Sequence, residues 1–156
     1  MSIYIHESSF VSDNVKLGSG SKIWHFSHIR ENVEIGENVS IGQNVYIDKN
    51  VKIGDNCKIQ NNVSIYDGVT IGNNVFIGPG VMFTNDLYPK VEDWTDDRIL
   101  KTFISNNVSI GANSTIVCGV TIGEGCLIGA ASNVTKSFED NLLIYGNPAS
   151  VKKKLK

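Results

Sequence analysis

The chain has little of what would direct it to a membrane, a nucleic acid or an oxidising compartment. None of its 156 residues belongs to an apolar run approaching the roughly 20 needed to cross a bilayer. The opening Met1–Glu7 segment lacks a basic stretch followed by an apolar one, so no secretory leader is expected. A net charge of -2 gives no field that would gather nucleic acid or an anionic lipid surface. Three cysteines occur, without metal-type spacing and in an odd number, which suits a reducing, cytoplasmic compartment. Length and composition, 41% apolar and 19% charged, fit one domain.

What the sequence does have is a six-residue period. From Ile35 it reads IGENVS, IGQNVY, IDKNVK, IGDNCK, IQNNVS, IYDGVT, IGNNVF, IGPGVM, eight hexapeptides in unbroken register. That period matches neither the 3.6 of a helix nor a simple alternating strand, and it fits a solenoid of short strands and sharp corners. The first position is Ile and the fifth Val or Cys, so both can point inward and fill a narrow core. The fourth is always Asn or Gly, the residues that enter left-handed backbone angles at least cost. Cys57 and Cys126 fall on the inward fifth position, whereas Cys118 falls on an outward third position and is expected to be an exposed thiol.

Extended backwards, the register starts at Ile5 and holds fourteen hexads up to Phe83; it resumes at Ile104 and continues through Val134. A longer period of eighteen lies above it, seen in Gly18, Gly36, Gly54 and Gly72 and in Arg30, Asp48, Tyr66 and Thr84. Three hexads then make one triangular coil, and twenty hexads make between six and seven coils. At roughly 4.8 Å per strand the prism is about 30 Å long. The pattern resembles the hexapeptide-repeat, left-handed parallel β-helix family. The expected fold is therefore an all-β, left-handed parallel β-helix over residues 1–136, with an inserted loop at 89–103. A C-terminal segment follows at 137–156, where Asn147-Pro148 and the Val151/Leu155 spacing predict a short helix.

Function is sought where the repeat breaks. In I-W-H-F-S-H-I-R, Trp24, His25, His28 and Arg30 replace the small residues usual at corners and outward positions. Trp24 reads either as cover for an exposed edge or as a stacking surface for a ligand. The histidines read as solvated surface or as part of a site. Gln60, Asn61 and Asn62, then Tyr66 and Asp67, stack above that segment. Their amides and phenol, with the Arg30 guanidinium, suit a sugar, a pyrimidine and a diphosphate, or else form an exposed polar ladder. The second break, FTNDLYPKVEDWTDDRILKTF, leaves from one corner and returns in register, so it is an insertion into the repeat.

Two sets of motifs carry a closer resemblance. G-A-N-S, I-G-A-A-S-N-V-T-K and Y-G-N-P-A are similar to the terminal coils of coenzyme-A-dependent acyltransferases of this fold. That likeness implies acetyl-CoA in a groove between subunits of a homotrimer, held by Gly111, Ala112, Gly129, Ala130 and Lys136, with the last lysines near its phosphates. W-H-F-S-H, I-G-Q-N-V (with Gln43), I-Q-N-N-V-S-I-Y-D-G-V and V-M-F-T-N-D-L-Y-P resemble N-acetyltransferases that acylate the 3-amino group of UDP- or dTDP-linked amino sugars in surface-glycan synthesis. The resemblance does not separate UDP from dTDP. At the mouth of the insertion Asn85 is assigned to orient the sugar amine, and Asp86 to attract its ammonium form and accept a proton. His25 is the other candidate base. In enzymes of this kind the departing thiolate can instead take the proton, leaving proximity as the main contribution.

Two other uses of such a fold fit poorly. A zinc carbonic anhydrase of γ type needs three converging histidines, and the only ones are His6, His25 and His28, with two on one hexad. An ice-binding or scaffold solenoid would repeat one exposed residue type and omit the loop. No metal is expected.

Overall fold

A computed structural model describes residues 1–156. Short strands, most of two residues, stack into three parallel sheets that wall a triangular prism. Face one carries eight parallel rungs, from Tyr4–Ile5 to Leu142–Gly146; face two carries seven, from Phe10–Val11 to Asn133–Val134; face three carries six, from Lys16–Leu17 to Thr121–Ile122. Rungs pair at the spacing the long period demands, as in Ile23↔Ile41 and Ile47↔Ile65. Face one has one rung more than the longest stack expected from between six and seven coils, because Leu142–Gly146 lies on Leu127–Ile128 although its sequence has left the hexad.

The corners account for the Asn/Gly column. Asn32, Asn38, Asn44, Asn50, Asn56, Asn62, Asn74, Asn107 and Asn113 all have φ between 53° and 63°. Their side chains also form ladders between coils, such as Asn44 Nδ2 donating to Asn62 Oδ1 at 2.8 Å. Inward, the Ile and Val columns form one continuous core of 32 buried residues. Some fifth positions carry Ser instead, and each hydroxyl is satisfied within the stack. Ser27 Oγ donates to Gly42 O at 2.9 Å and accepts from Val45 N at 3.1 Å. A hydroxyl thus replaces a methyl without leaving a buried polar group alone.

Three expectations are corrected. The C-terminal segment is a β-hairpin: Leu142–Gly146 turns through a cis Asn147–Pro148 bond into the antiparallel strand Ala149–Lys154. Ile144 is fully buried above Ile128, so core packing outweighs the helical spacing of Val151 and Leu155. The insertion leaves after Phe83 and ends before Thr102, since Thr102–Ile104 pairs with Val69–Ile71. Its one regular element is a 3-10 turn at Asp96–Arg98. Cys118 is buried, because the returning loop crosses its corner: Leu100 packs near Gly119 and Thr84 Oγ1 accepts from Cys118 N at 3.0 Å. No helix is long and apolar enough to cross a membrane.

Candidate active site

The repeat positions the assigned side chains on two different edges of the prism. Trp24, His25, Gln43, Gln60, Asn61 and Asn62 lie along the edge between faces one and two, as do Gly111, Ala112, Gly129 and Ala130 higher up. Arg30, Tyr66, Asp67, Asn85 and Asp86 lie along the edge between faces two and three. The Gln60–Asn62 amides and the Tyr66 and Arg30 groups, read from sequence as suiting one ligand, are therefore separated by the width of face two.

On the first edge, His25 stacks on His6 with ring centroids 3.6 Å apart, and the Trp24 ring runs parallel to His25 at 6.5 Å. Tyr4 covers Trp24 from one side at 5.3 Å. Neither His6 nor Tyr4 is marked by its hexad position, since both flank Ile5 where the register starts. Ser8 holds this corner by accepting from Phe26 N at 3.0 Å while contacting His6 Nδ1 at 2.8 Å. Phe26 takes φ 56° and Ala131 φ 56°, the two corners of this edge where neither Asn nor Gly eases the left-handed turn. Strain of that kind costs about 1–2 kcal/mol each and gathers at functional positions. Higher up, Asn61 Oδ1 accepts from Gln43 N at 2.9 Å, so Asn61 and Asn62 spend their oxygens on the ladder. The side chains of Gln43 and Gln60 take no part in it.

Face two carries an aromatic column. Phe10, His28 and Tyr46 sit in consecutive coils at 5.1 and 5.8 Å, and Tyr46 continues to Tyr66 at 5.6 Å. His28 belongs to this column and not to the His25 corner. Below Tyr66 the second edge is tied by Asp48, 8% exposed. Asp48 Oδ1 accepts from Arg30 Nη1 at 3.1 Å, Tyr46 Oη at 3.2 Å and Lys49 N at 2.9 Å; its Oδ2 accepts from Asp67 N at 3.2 Å. Glu31 takes the other side of Arg30 at 2.6 Å. The Tyr46 oxygen and then Glu31 push the Arg30 pKa up, while burial raises that of the Tyr46 phenol. The Arg30 cation is committed within the fold, and Asp67, buried, accepts from Asn50 Nδ2 at 3.1 Å.

Above this network the insertion roofs a cavity of about 270 Å³ lined by Tyr66, Thr84, Asn85, Asp86, Lys90 and Trp94. Asn85 O accepts from Leu100 N at 3.0 Å, closing the neck of the loop. Asp86 Oδ1 accepts from Tyr88 N at 2.9 Å. Arg98, from the far end of the loop, brings Nη2 to 2.9 Å from Asp86 Oδ2. That nitrogen directs its hydrogen at the Tyr88 carbonyl, so Oδ2 is in charge contact yet has no aligned donor. Sequence reasoning missed Arg98, since the loop has no period to place it.

Face one carries a second depression, of about 380 Å³, formed by Phe76, Ser109, Ile110, Gly111, Leu127, Ile128, Gly129 and Ala130. Three of the five positions carried over for the coenzyme lie in it. Ala112 sits just beyond, its carbonyl accepting from Ala131 N at 2.8 Å. Lys136 lies off the groove, Nζ 5.6 Å from the Phe138 ring.

The family model described as bacterial transferase hexapeptide (six repeats) matches residues 14–49, 50–85 and 101–136. A hexapeptide repeat of succinyl-transferase matches 32–67. Among curated proteins, a dTDP-3-amino-3,6-dideoxy-alpha-D-galactopyranose 3-N-acetyltransferase of Aneurinibacillus thermoaerophilus is 50% identical over 52 residues, 33% of this chain and 27% of that protein. The chain thus spans about a quarter of that relative's length. PerB from Caulobacter crescentus, solved with CoA and GDP-perosamine, superposes with a TM-score of 0.59 at 20% identity, over 97% of this chain and 57% of that one. The UDP-N-acetylglucosamine acyltransferase from Campylobacter jejuni gives 0.70 at 20%, over 97% and 68%. At that identity the two structures speak for the fold. The three matched spans take in every rung from Lys16–Leu17 to Asn133–Val134, well over half of the chain, and the chain belongs to the bacterial transferase hexapeptide family.

Proposed function

We propose that the chain is an acetyl-CoA-dependent N-acetyltransferase acting on the 3-amino group of a UDP- or dTDP-linked amino-deoxy sugar in surface-glycan synthesis. The observation that carries this is the loop-roofed cavity, where an amide (Asn85), a carboxylate (Asp86) and two aromatic rings (Tyr66, Trp94) meet. Two aromatics and a few hydrogen-bonding groups are what a sugar asks of a site. The likeness to a dTDP-3-amino sugar 3-N-acetyltransferase supports the acceptor class. The apolar groove of face one, with Phe76 and Leu127 flanking Gly111 and Gly129, suits the slender pantetheine arm of coenzyme A, which supplies the acetyl thioester.

In the reaction the amine lone pair forms a C–N bond to the thioester carbonyl, the C–S bond breaks, and the amine gives up one proton. The chain's part is to place and select. Asn85 accepts an N–H of the amine and holds the lone pair toward the carbonyl, a proximity effect. Asp86 stands beside it, paired with Arg98. Proton removal falls to the thiolate leaving group; of the two side-chain candidates, Asp86 lines the cavity while His25 stands on the other edge of the same copy.

The groove and the cavity cannot serve one reaction within one copy. The cavity sits on the edge opposite face one, across the width of the prism. A homotrimer in which each copy turns face one toward its neighbour's loop edge brings the two together. The test is acetyl transfer to a panel of UDP- and dTDP-linked 3-amino and 4-amino sugars, read as released thiol, with sedimentation of the same sample. Turnover of a 3-amino sugar by a three-chain species is expected. Preference for a 4-amino sugar or for another acyl donor moves the specificity; a fully active monomer overturns the shared site.

A further inference from the structure

We propose that Arg98 is a positioning residue of the acceptor cavity: by pairing with Asp86 it cancels the local negative charge, so that the cavity takes the sugar amine in its uncharged, reactive form. This rests on the acceptor assignment above and goes beyond it, since nothing so far gives Arg98 a role.

The argument begins with a conflict in the chemistry. Only a free amine can attack a thioester, yet an aliphatic amine is largely protonated at neutral pH. A lone carboxylate within about 4–6 Å would deepen that problem, because an opposite charge favours the ammonium. Asp86 lines the cavity, and its side chain is only 8% exposed, so water does little to screen it. Arg98 answers this from the other end of the insertion. Its Nη2 stands 2.9 Å from Oδ2, and the guanidinium is itself fixed by the Tyr88 carbonyl and the Asp93 carbonyl, with Trp94 6.0 Å away beneath it. The pair presents a neutral wall to the cavity, with Oδ2 itself sealed from solvent beneath the guanidinium.

The other charged and titratable groups around the cavity do not undo this balance. Lys90 lines the same cavity and adds a cation, which also disfavours an ammonium. Tyr66 contributes a phenol from the coil below. Asp97 lies with Arg98 around the smaller neighbouring hollow. Asp96 is tied to Lys49 of the coil at 3.6 Å. Asp93 touches Arg98 through its carbonyl.

The test compares wild type, Arg98→Gln and Arg98→Lys, with dTDP-linked 3-amino-3,6-dideoxygalactose as the probe. Binding is followed by calorimetry at pH 7 in buffers of different ionisation enthalpy, which counts protons exchanged without any turnover. Wild type should release about one proton per sugar bound, since the free sugar is an ammonium and the bound one an amine. Arg98→Gln should bind with no proton release, and the acidic limb of its kcat profile should move up by about one to two pH units. Arg98→Lys keeps the charge and should restore proton release, with a lower kcat from looser aim. Weaker binding by Arg98→Gln at an unchanged proton count would make Arg98 merely structural and overturn the proposal. Binding by wild type without proton release would overturn it while leaving the acceptor assignment intact. Failure of wild type to bind any amino sugar would overturn both.

Discussion

Replacing Asp48 with Ala should be among the most damaging single changes outside the aliphatic core. Its carboxylate receives four donors from three coils' worth of chain, and each has a different alternative once it is gone. The main-chain N–H groups of Lys49 and Asp67 are held in the corner and have no other acceptor; losing a buried partner costs about 1 kcal/mol each. The Tyr46 hydroxyl is half-buried and can turn to water, for about 0.5 kcal/mol. Arg30 retains Glu31 and is 37% exposed, so solvent screening leaves its loss out of the sum. Together these give about 2.5 kcal/mol, or about 5–10 °C in Tm for a chain of this size. Asp48→Asn keeps one acceptor oxygen and should lose about 1 kcal/mol. Calorimetric or urea unfolding at one fixed protein concentration reads the difference, because the proposed trimer would make stability depend on concentration. A loss under about 1 kcal/mol for Asp48→Ala, or equal losses for Ala and Asn, would refute the accounting.

Two further outcomes follow from the corners and the core thiols. At Asn62, φ is 61° and Oδ1 serves the ladder, so Ala adds strain of about 1 kcal/mol to the lost bond, whereas Gly loses only the bond, about 0.5 kcal/mol. Urea midpoints should therefore rank Asn62→Gly above Asn62→Ala, and the reverse order would show that backbone conformation is not what the corner selects. Burial raises the pKa of Cys57 and of Cys126 above the usual 9.0. The folded thiols hold their protons to higher pH than the unfolded ones. Their contribution is thus complete below the unfolded pKa and is lost as pH rises through the folded one. Stability should fall from about pH 9 upward, and a Cys57→Val, Cys126→Val double variant should flatten that fall; an unchanged alkaline slope in the variant would assign it to other groups.

The parts of the molecule legible in the sequence are those the period controls. Ile41, Ile59 and Ile77 fall on one inward column because three hexads close a coil, and the Asn corners announce their own left-handed turns. Asp48 was visible as a member of the Arg30–Asp48–Tyr66–Thr84 series. Its role as a hub was not, since hydrogen bonding depends on which way an outward side chain bends. Cys118 was misplaced because burial there comes from Leu100, a residue of the aperiodic loop. The tail was misread for a related reason: Val151 and Leu155 suit a helix locally, while the exposed top of the Ile128 rung offers Ile144 a buried seat. For the candidate site, the sequence showed which residues break the repeat. It could not show that the Gln60 and Tyr66 ledges lie on separate edges, nor that Arg98 reaches back to Asp86.

The pairing of Val69–Ile71 with Thr102–Ile104 has a consequence for how such a molecule tolerates elaboration. Below the insertion neighbouring rungs are 18 residues apart in the chain, as in Asn44 and Asn62, whereas Asn73 reaches its ladder partner Asn106 across 33. Closing the longer loop costs extra chain entropy only as the logarithm of its length, about 0.5 kcal/mol. That is less than one typical hydrogen bond contributes. A coil can therefore host a long excursion at a corner for almost no thermodynamic penalty, provided both ends return in register. New chemistry can enter this fold one corner at a time, with the rest of the stack barely registering the change.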